Sequence, residues 1–278
     1  MEKFKIVADS SSDLFCLENL PFAAAPLKII AGDREFIDDG KLDVGEMVDF
    51  LSKYKGRSTT SCPNVQDWLD AFGEAEHVFC VTITATLSGS YNSALLAKKT
   101  YEERYPDRRV TVINSLSTGP EMKLIIEKLR ELILSGCDFD DISLQIQEYA
   151  QNTGLIFMLQ SMKNLANNGR VSPIVAKAAG ILGIRIIGKA SDKGDLETLD
   201  KCRGEQKALE CIVSDIKKLG WRGGSVRIAH CFNEGAAEKL QQLIKAQFEN
   251  TQTEIYCCGG LCSFYAERGG LLVGFEKE

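Results

Sequence analysis

A chain of 278 residues, 44% hydrophobic and 26% charged, has room for one large or two modest cores and the balance of an ordinary globular protein. Its formal net charge of -6 argues against a nucleic-acid partner, because a phosphate backbone calls for a basic face. No uncharged apolar run reaches the roughly 18–20 residues of a membrane span, since Lys177 and Arg185 break the most apolar stretch. The N-terminus lacks the apolar core of a secretory leader, so a cytoplasmic protein with reduced thiols is expected. The 10 cysteines are scattered apart from "CCGGLC" at 257–262. With His77 and His230 the only histidines and no second cluster, no metal site is expected.

In chain order, "FKIVAD" (4–9) reads as a strand that ends at Asp9 and runs into Ser10, Ser11 and Ser12. "APLKIIAG" (25–32) reads as a second strand and "VGEMVDFLSKY" as a helix. "TTSCPN" (59–64) reads as a turn whose Asn64 caps the helix "VQDWLDAFGEA". The strand "HVFCVTI" (77–83), a helix over 88–105, the strand "RVTVIN" (109–114) and an amphipathic helix over 119–136 follow. Strands alternating with helices imply parallel βαβ units and a doubly wound α/β domain through residue 153.

The pattern then changes. "GLIFML" (154–159) is a strand, followed by a helical region over 161–182 that is broken at Asn168-Gly169. Two strands flank "SDKGD" within 185–203, an antiparallel hairpin. A helix (204–219), the strand "SVRIAHC", a helix (234–249), "EIYCC" and "LLVGFEK" complete a mixed-sheet α+β unit. Nothing between 150 and 155 reads as a flexible linker, so domains 1–153 and 154–278 are expected to pack closely around a cleft.

The chemistry gathers in "ITATLSGSYNSA" (83–94). Ser88 follows a parallel strand and opens a helix, at the carboxyl edge where open α/β sheets bind ligands. Helix N-terminal N–H groups lack intrahelical partners and carry the positive end of the dipole. A serine and Gly89 let an anionic oxygen approach them, with a plain helix cap as the alternative role of Ser88. Thr60 and Ser61 supply hydroxyls from a second loop, and Asp9 and Ser10 fall at the same edge. Such a site suits a carboxylate or a single phosphate. The absence of G-x-x-x-x-G-K-[ST] and G-x-G-x-x-G disfavours a nucleotide. Arg170, held by the Asn168-Gly169 turn, offers a planar cationic fork, with a structural ion pair as the alternative role, and Arg203 carries the same ambiguity.

Two other readings stay open. Ser88 as the nucleophile of a small-molecule hydrolase would need a base: His230, His77 or a lysine, with His230 favoured over His77, which starts the same strand far from its end. "TLSGS" is not the G-x-S-x-G elbow. An interaction module with an empty cleft is the third.

In shared order, "VADSSSDL", "TSCPN", "LSGSYNSA", "VINSLSTG", "SMKNLANNGRVS", "CRGEQKAL" and "RIAHCFNEGAAEKL" make the chain resemble the DegV family of bacterial fatty-acid-binding proteins. The resemblance implies an N-terminal three-layer α/β/α domain with a parallel sheet and a C-terminal two-layer α/β domain with a mixed sheet. It implies a long-chain fatty acid as ligand, no cofactor and no catalysis, with the carboxylate at Thr60, Ser61, Ser88 and Gly89. It also implies, for some members, a separate ATP-dependent fatty acid kinase as partner, with Arg170 and Arg203 near the mouth. Counting back from "GGLLVGF", Tyr265 stands where the family commonly has a head-group histidine. Tyrosine supplies an O–H donor but no positive charge at neutral pH.

Overall fold

The computed structural model describes residues 3–174, 176 and 183–277. Its first sheet is parallel throughout, in the order β2 (Phe22–Ala25), β1 (Phe4–Asp9), β6 (His77–Thr82) and β7 (Arg109–Asn114). Strands of such a sheet are covered on both faces, which accounts for their near-continuous apolar runs. Ile6 and Ala8 of β1 face α4 (Pro120–Leu134) and α5 (Phe139–Gln151), while Val7 faces α2 (Val65–Phe72) and α3 (Ser90–Arg104). This is the three-layer α/β/α arrangement.

Local chemistry starts the helices. Asn64 accepts from the Gln66 and Asp67 N–H groups, and Asp67 returns a bond to the Asn64 N–H, a capping box at α2. Asp138 accepts from the Asp140 and Asp141 N–H groups at the start of α5. The sequence reading had passed over α5.

Two expectations are corrected. Residues 25–32 are not one strand: the chain breaks at Pro26-Leu27 into β2 and β3 (Lys28–Ala31), which belong to different sheets. Proline brings no N–H to a ladder, and the Leu27 N–H is taken by Ser10 Oγ at 3.0 Å. The first half of the expected turn at 59–64 belongs instead to β5 (Ser58–Ser61). It pairs with β3, which also pairs with β4 (Arg34–Ile37), in a small antiparallel sheet. α1 (Val44–Lys53) supplies Met47 and Val48 to the core beside that sheet.

The third sheet has the order β10 (Leu196–Arg203), β9 (Ile184–Ala190), β8 (Thr153–Leu159), β13 (Leu271–Glu276), β11 (Val226–His230) and β12 (Thr253–Cys257). Only β11 and β12 pair in parallel. Period-two alternation divides β8. Ile156 and Met158 pack under α7 (Glu205–Lys218) and α8 (Glu234–Lys245), while Leu155, Phe157 and Leu159 face the other way. That second face meets α6 (Lys163–Asn167) and α9 (Gly260–Ala266) through Leu165 and Ala266.

The helical stretch expected over 161–182 starts as α6, which stops at Asn168 before Gly169 at φ 75°. Residues 175 and 177–182 of that expectation lie outside the described residues. Among the described residues no helix is long and apolar enough to cross a membrane.

Candidate functional site

A cavity of about 180 Å³ lies between the carboxyl edge of the first sheet and the inner face of the third. Its apolar wall comes from both sides: Leu155, Phe157 and Leu159 of β8, Leu272 of β13, and Leu27 and Ile83 from the first half. The polar groups on its wall include Thr60, Ser88, Gly89, Arg170 and Tyr265, five residues singled out in the sequence.

Each is placed by a nameable device. Ser88 Oγ accepts from the Ser90 N–H at 3.2 Å, which satisfies one of the orphan donors at the start of α3. Accepting that bond leaves its own proton free to donate. Gly89 sits against Cys62: a methyl group added at Gly89 would lie 3.2 Å from the Cys62 sulfur. Thr60 Oγ1 and Tyr265 Oη share a hydrogen bond of 2.8 Å. Burial pushes the Tyr265 hydroxyl above its ordinary pKa, against the opposing effects of Thr60 and Arg170, so it stays a neutral donor.

Arg170 bridges the two halves. Its Nε donates to the Leu87 carbonyl at 3.2 Å, one residue before Ser88, and its Nη1 to the Asn168 carbonyl at 2.5 Å. Its guanidinium lies 6.0 Å from the centre of the Tyr265 ring. Asn168 Nδ2 donates to the Ser58 carbonyl at 3.2 Å, which ties the same turn to β5. Among the described residues no carboxylate lies within ion-pair distance of Arg170, so its charge is available to an anion.

The remaining candidates lie elsewhere. Ser61 does not line the cavity; it follows Thr60 along β5, and strand alternation turns it to the other face. Asp9 is fully buried behind the wall and accepts from the Ile83 N–H at 2.9 Å and from Ser90 Oγ at 2.6 Å. Burial raises its pKa against four hydrogen bonds that lower it. Asp9 thus fastens the loop that carries Ser88 without reaching the cavity. Ser10 Oγ receives the Leu27 N–H, and Arg203 is exposed at the end of β10.

The hydrolase reading is not supported. His230 is buried at the end of β11, outside the cavity wall, and its Nδ1 accepts from the Asn233 N–H at 3.3 Å. His77 packs its ring on Phe4 and Phe139 at the far end of β6. Neither histidine therefore stands where it could serve Ser88 as a base.

The sequence reading missed Cys62, Thr118 and Cys262 on the wall. It also missed α9, which carries Tyr265. That helix is held by Asp38, whose two oxygens accept from the Gly260 N–H at 2.9 Å and the Leu261 N–H at 3.0 Å. Asp13 accepts from the Gly259 N–H at 2.9 Å just before it.

An apolar cavity with hydroxyls in its wall, and with a guanidinium that has no carboxylate partner among the described residues, has the chemistry to hold an amphiphilic anion. The DegV family model, described as "Uncharacterised protein, DegV family", matches residues 3–278, and the chain belongs to that family. A DegV domain-containing protein of Streptococcus pneumoniae (strain ATCC BAA-255 / R6) is 42% identical over 279 residues, covering 99% of each chain. Among solved structures, a DegV family protein from Eubacterium eligens loaded with heptadecanoic acid superposes with a TM-score of 0.97 at 46% identity, over 99% of this chain and 100% of that one. The Streptococcus pneumoniae Fatty Acid Kinase (Fak) B3 protein loaded with linoleic acid gives 0.97 at 41% identity, over 100% of both.

Proposed function

We propose that this protein binds a long-chain fatty acid in the cavity between its two halves and presents it to a separate fatty acid kinase. The carboxylate is held by Ser88, Thr60, Arg170 and Tyr265 at the open turn of Gly89, and the alkyl chain lies along the leucine and phenylalanine wall. The observation that carries this reading is an apolar cavity whose wall holds Arg170, an arginine with no carboxylate partner among the described residues. A carboxylate entering it gains charge-assisted hydrogen bonds, while each buried methylene adds about 0.8 kcal/mol of transfer free energy. The Eubacterium eligens and Streptococcus pneumoniae structures, with their bound fatty acids, support the ligand class.

The protein acts as a binding subunit with no cofactor and no catalysis of its own. Residues 1–153 and 154–278 form the two domains that grip the ligand. Arg203 and Arg170 face the kinase at the mouth, and the location is cytoplasmic, where ATP for that partner is found.

Native mass spectrometry of the purified protein, before and after organic extraction, tests the reading. The expected result is a mass excess equal to a long-chain fatty acid, lost on extraction and restored by adding one. An extracted protein that takes up no fatty acid would contradict it.

A further inference from the structure

On the face of the third sheet turned away from the cavity, two cysteines meet. Cys202 is the next-to-last residue of β10 and 2% exposed, and Cys211 lies half-buried two turns into α7. Gly204, at φ 85°, turns the strand directly into the helix, so residues nine apart in sequence come side by side. The Cys202 thiol donates to Cys211 Sγ across 3.0 Å. A disulfide needs about 2.05 Å, so roughly 1 Å of movement at the end of an edge strand would close it.

We propose that Cys202 and Cys211 are a redox modification site that closes to a reversible disulfide when hydrogen peroxide is the oxidant. Cys211, the more exposed of the two residues, attacks, giving up its proton as it does so. Its S–O bond forms as the peroxide O–O bond breaks, and the departing oxygen leaves as water after taking up a proton. The Cys211 sulfur becomes a sulfenic acid. Cys202 then attacks that sulfur; the S–S bond forms, the S–O bond breaks and a second water leaves with the Cys202 proton. Two thiols and one peroxide become one disulfide and two waters. A thiol reductant reverses the step by exchange.

The order of attack follows from the burial of the two sulfurs. Burial, and then the hydrogen bond to Cys211, push the Cys202 thiol up, and the nearly buried Cys202 is shielded from an incoming peroxide, while Cys211 is half-buried. The closed loop is short, so cross-linking removes little unfolded-state entropy and the effect is local. It ties the end of β10 to α7 and fixes Arg203, the next residue. The effect on partner contact at Arg203 rests on the proposed function; the disulfide itself does not.

The test is cysteine mapping of the purified full chain treated with one equivalent of hydrogen peroxide, alkylated and digested. The expected result is a cross-linked peptide containing Cys202 and Cys211, lighter by two hydrogens than its parts and opened by dithiothreitol. Cys211→Ser under the same treatment gives no cross-link and an alkylated Cys202. Alkylation of both residues in the oxidised wild-type chain, with exposed Cys16 or Cys257 oxidised instead, overturns the proposal. So does a cross-link from either one to a different cysteine. The wild-type map decides even where the variant fails to fold.

Discussion

Ser88 receives one bond from α3 and has one to give, so its removal has two separable effects. Ser88→Ala deletes a donor to a charged group, worth about 1.5–3 kcal/mol, so fatty-acid affinity is expected to fall about ten- to a hundredfold. It also deletes the acceptor for the Ser90 N–H, for which a stability loss of about 0.5–1.5 kcal/mol is expected. A fatty-acid titration and a denaturant curve on one preparation separate the two. Unchanged affinity with reduced stability would leave Ser88 as a tie to the start of α3 and nothing more. Arg170→Gln keeps a hydrogen-bond donor and removes the charge. It is expected to weaken a fatty acid far more than the uncharged alcohol of the same chain length, and equal losses for the two would take the guanidinium away from the carboxylate.

Asp13 makes a prediction of a different kind. Burial, reinforced by the nearby charge of Asp38, pushes its carboxyl up to about 8 from 3.8. Between those two values the folded chain holds a proton that the unfolded chain has released. The contribution of this group is therefore fully present below the ordinary aspartate range and is lost as the pH rises through about 8. Asn tolerates the positive φ of 58° and still offers an oxygen to the Gly259 N–H. Asp13→Asn is expected to gain stability relative to wild type as the pH is raised from about 5 to about 8. Parallel denaturation midpoints at the two pH values would sink the account if their difference stayed constant.

At the scale of elements, the tip of the β9–β10 hairpin docks against the first half. Thr86 Oγ1 donates to the Gly194 carbonyl at 2.7 Å, and a methyl group on Gly194 would lie 2.1 Å from Thr84 Oγ1. Gly194 also has φ 83°. Gly194→Ala is expected to cost at least about 1–2 kcal/mol for the backbone alone. It is also expected to weaken ligand binding, because Leu196, two residues on, belongs to the cavity wall. Thermal unfolding together with a binding titration checks both. Wild-type behaviour in each would mean that the tip is not a fixed contact.

Elements also decide what could be read in advance. The strand–Ser-Gly–helix passage around Ser88 is local, so its place at the sheet edge was legible. The strands β1, β6, β7 and β8 announce themselves as apolar runs, and the turn at Gly169 gave the place of Arg170. β5 did not, because Ser58–Ser61 has the composition of a turn and becomes a strand only by pairing with β3. The orientation of Ser61 away from the cavity follows from that pairing and was equally hidden. α9 is glycine-rich at its start and is capped by Asp38 from far along the chain, which no local window contains. Tyr265 was therefore placed through family resemblance, and its bond to Thr60 came only from the folded chain.

For the whole molecule, the parallel sheet presents its carboxyl edge and the mixed sheet presents the leucine face of β8, and the cavity exists only because the two are apposed. Arg170 to Leu87, Asn168 to Ser58 and Thr86 to Gly194 are polar ties across that junction. A bound fatty acid touches both sides at once, so it is expected to raise the unfolding midpoint of the extracted protein in proportion to the logarithm of its concentration above Kd. The most direct measurement is a crystal structure of the extracted protein reloaded with a long-chain fatty acid. The account predicts continuous density along Leu155, Phe157 and Leu159, with a carboxylate within hydrogen-bond distance of Ser88 Oγ and of Thr60 or Tyr265. Density for the ligand outside this cavity, or in it with the carboxylate away from those hydroxyls, would contradict it.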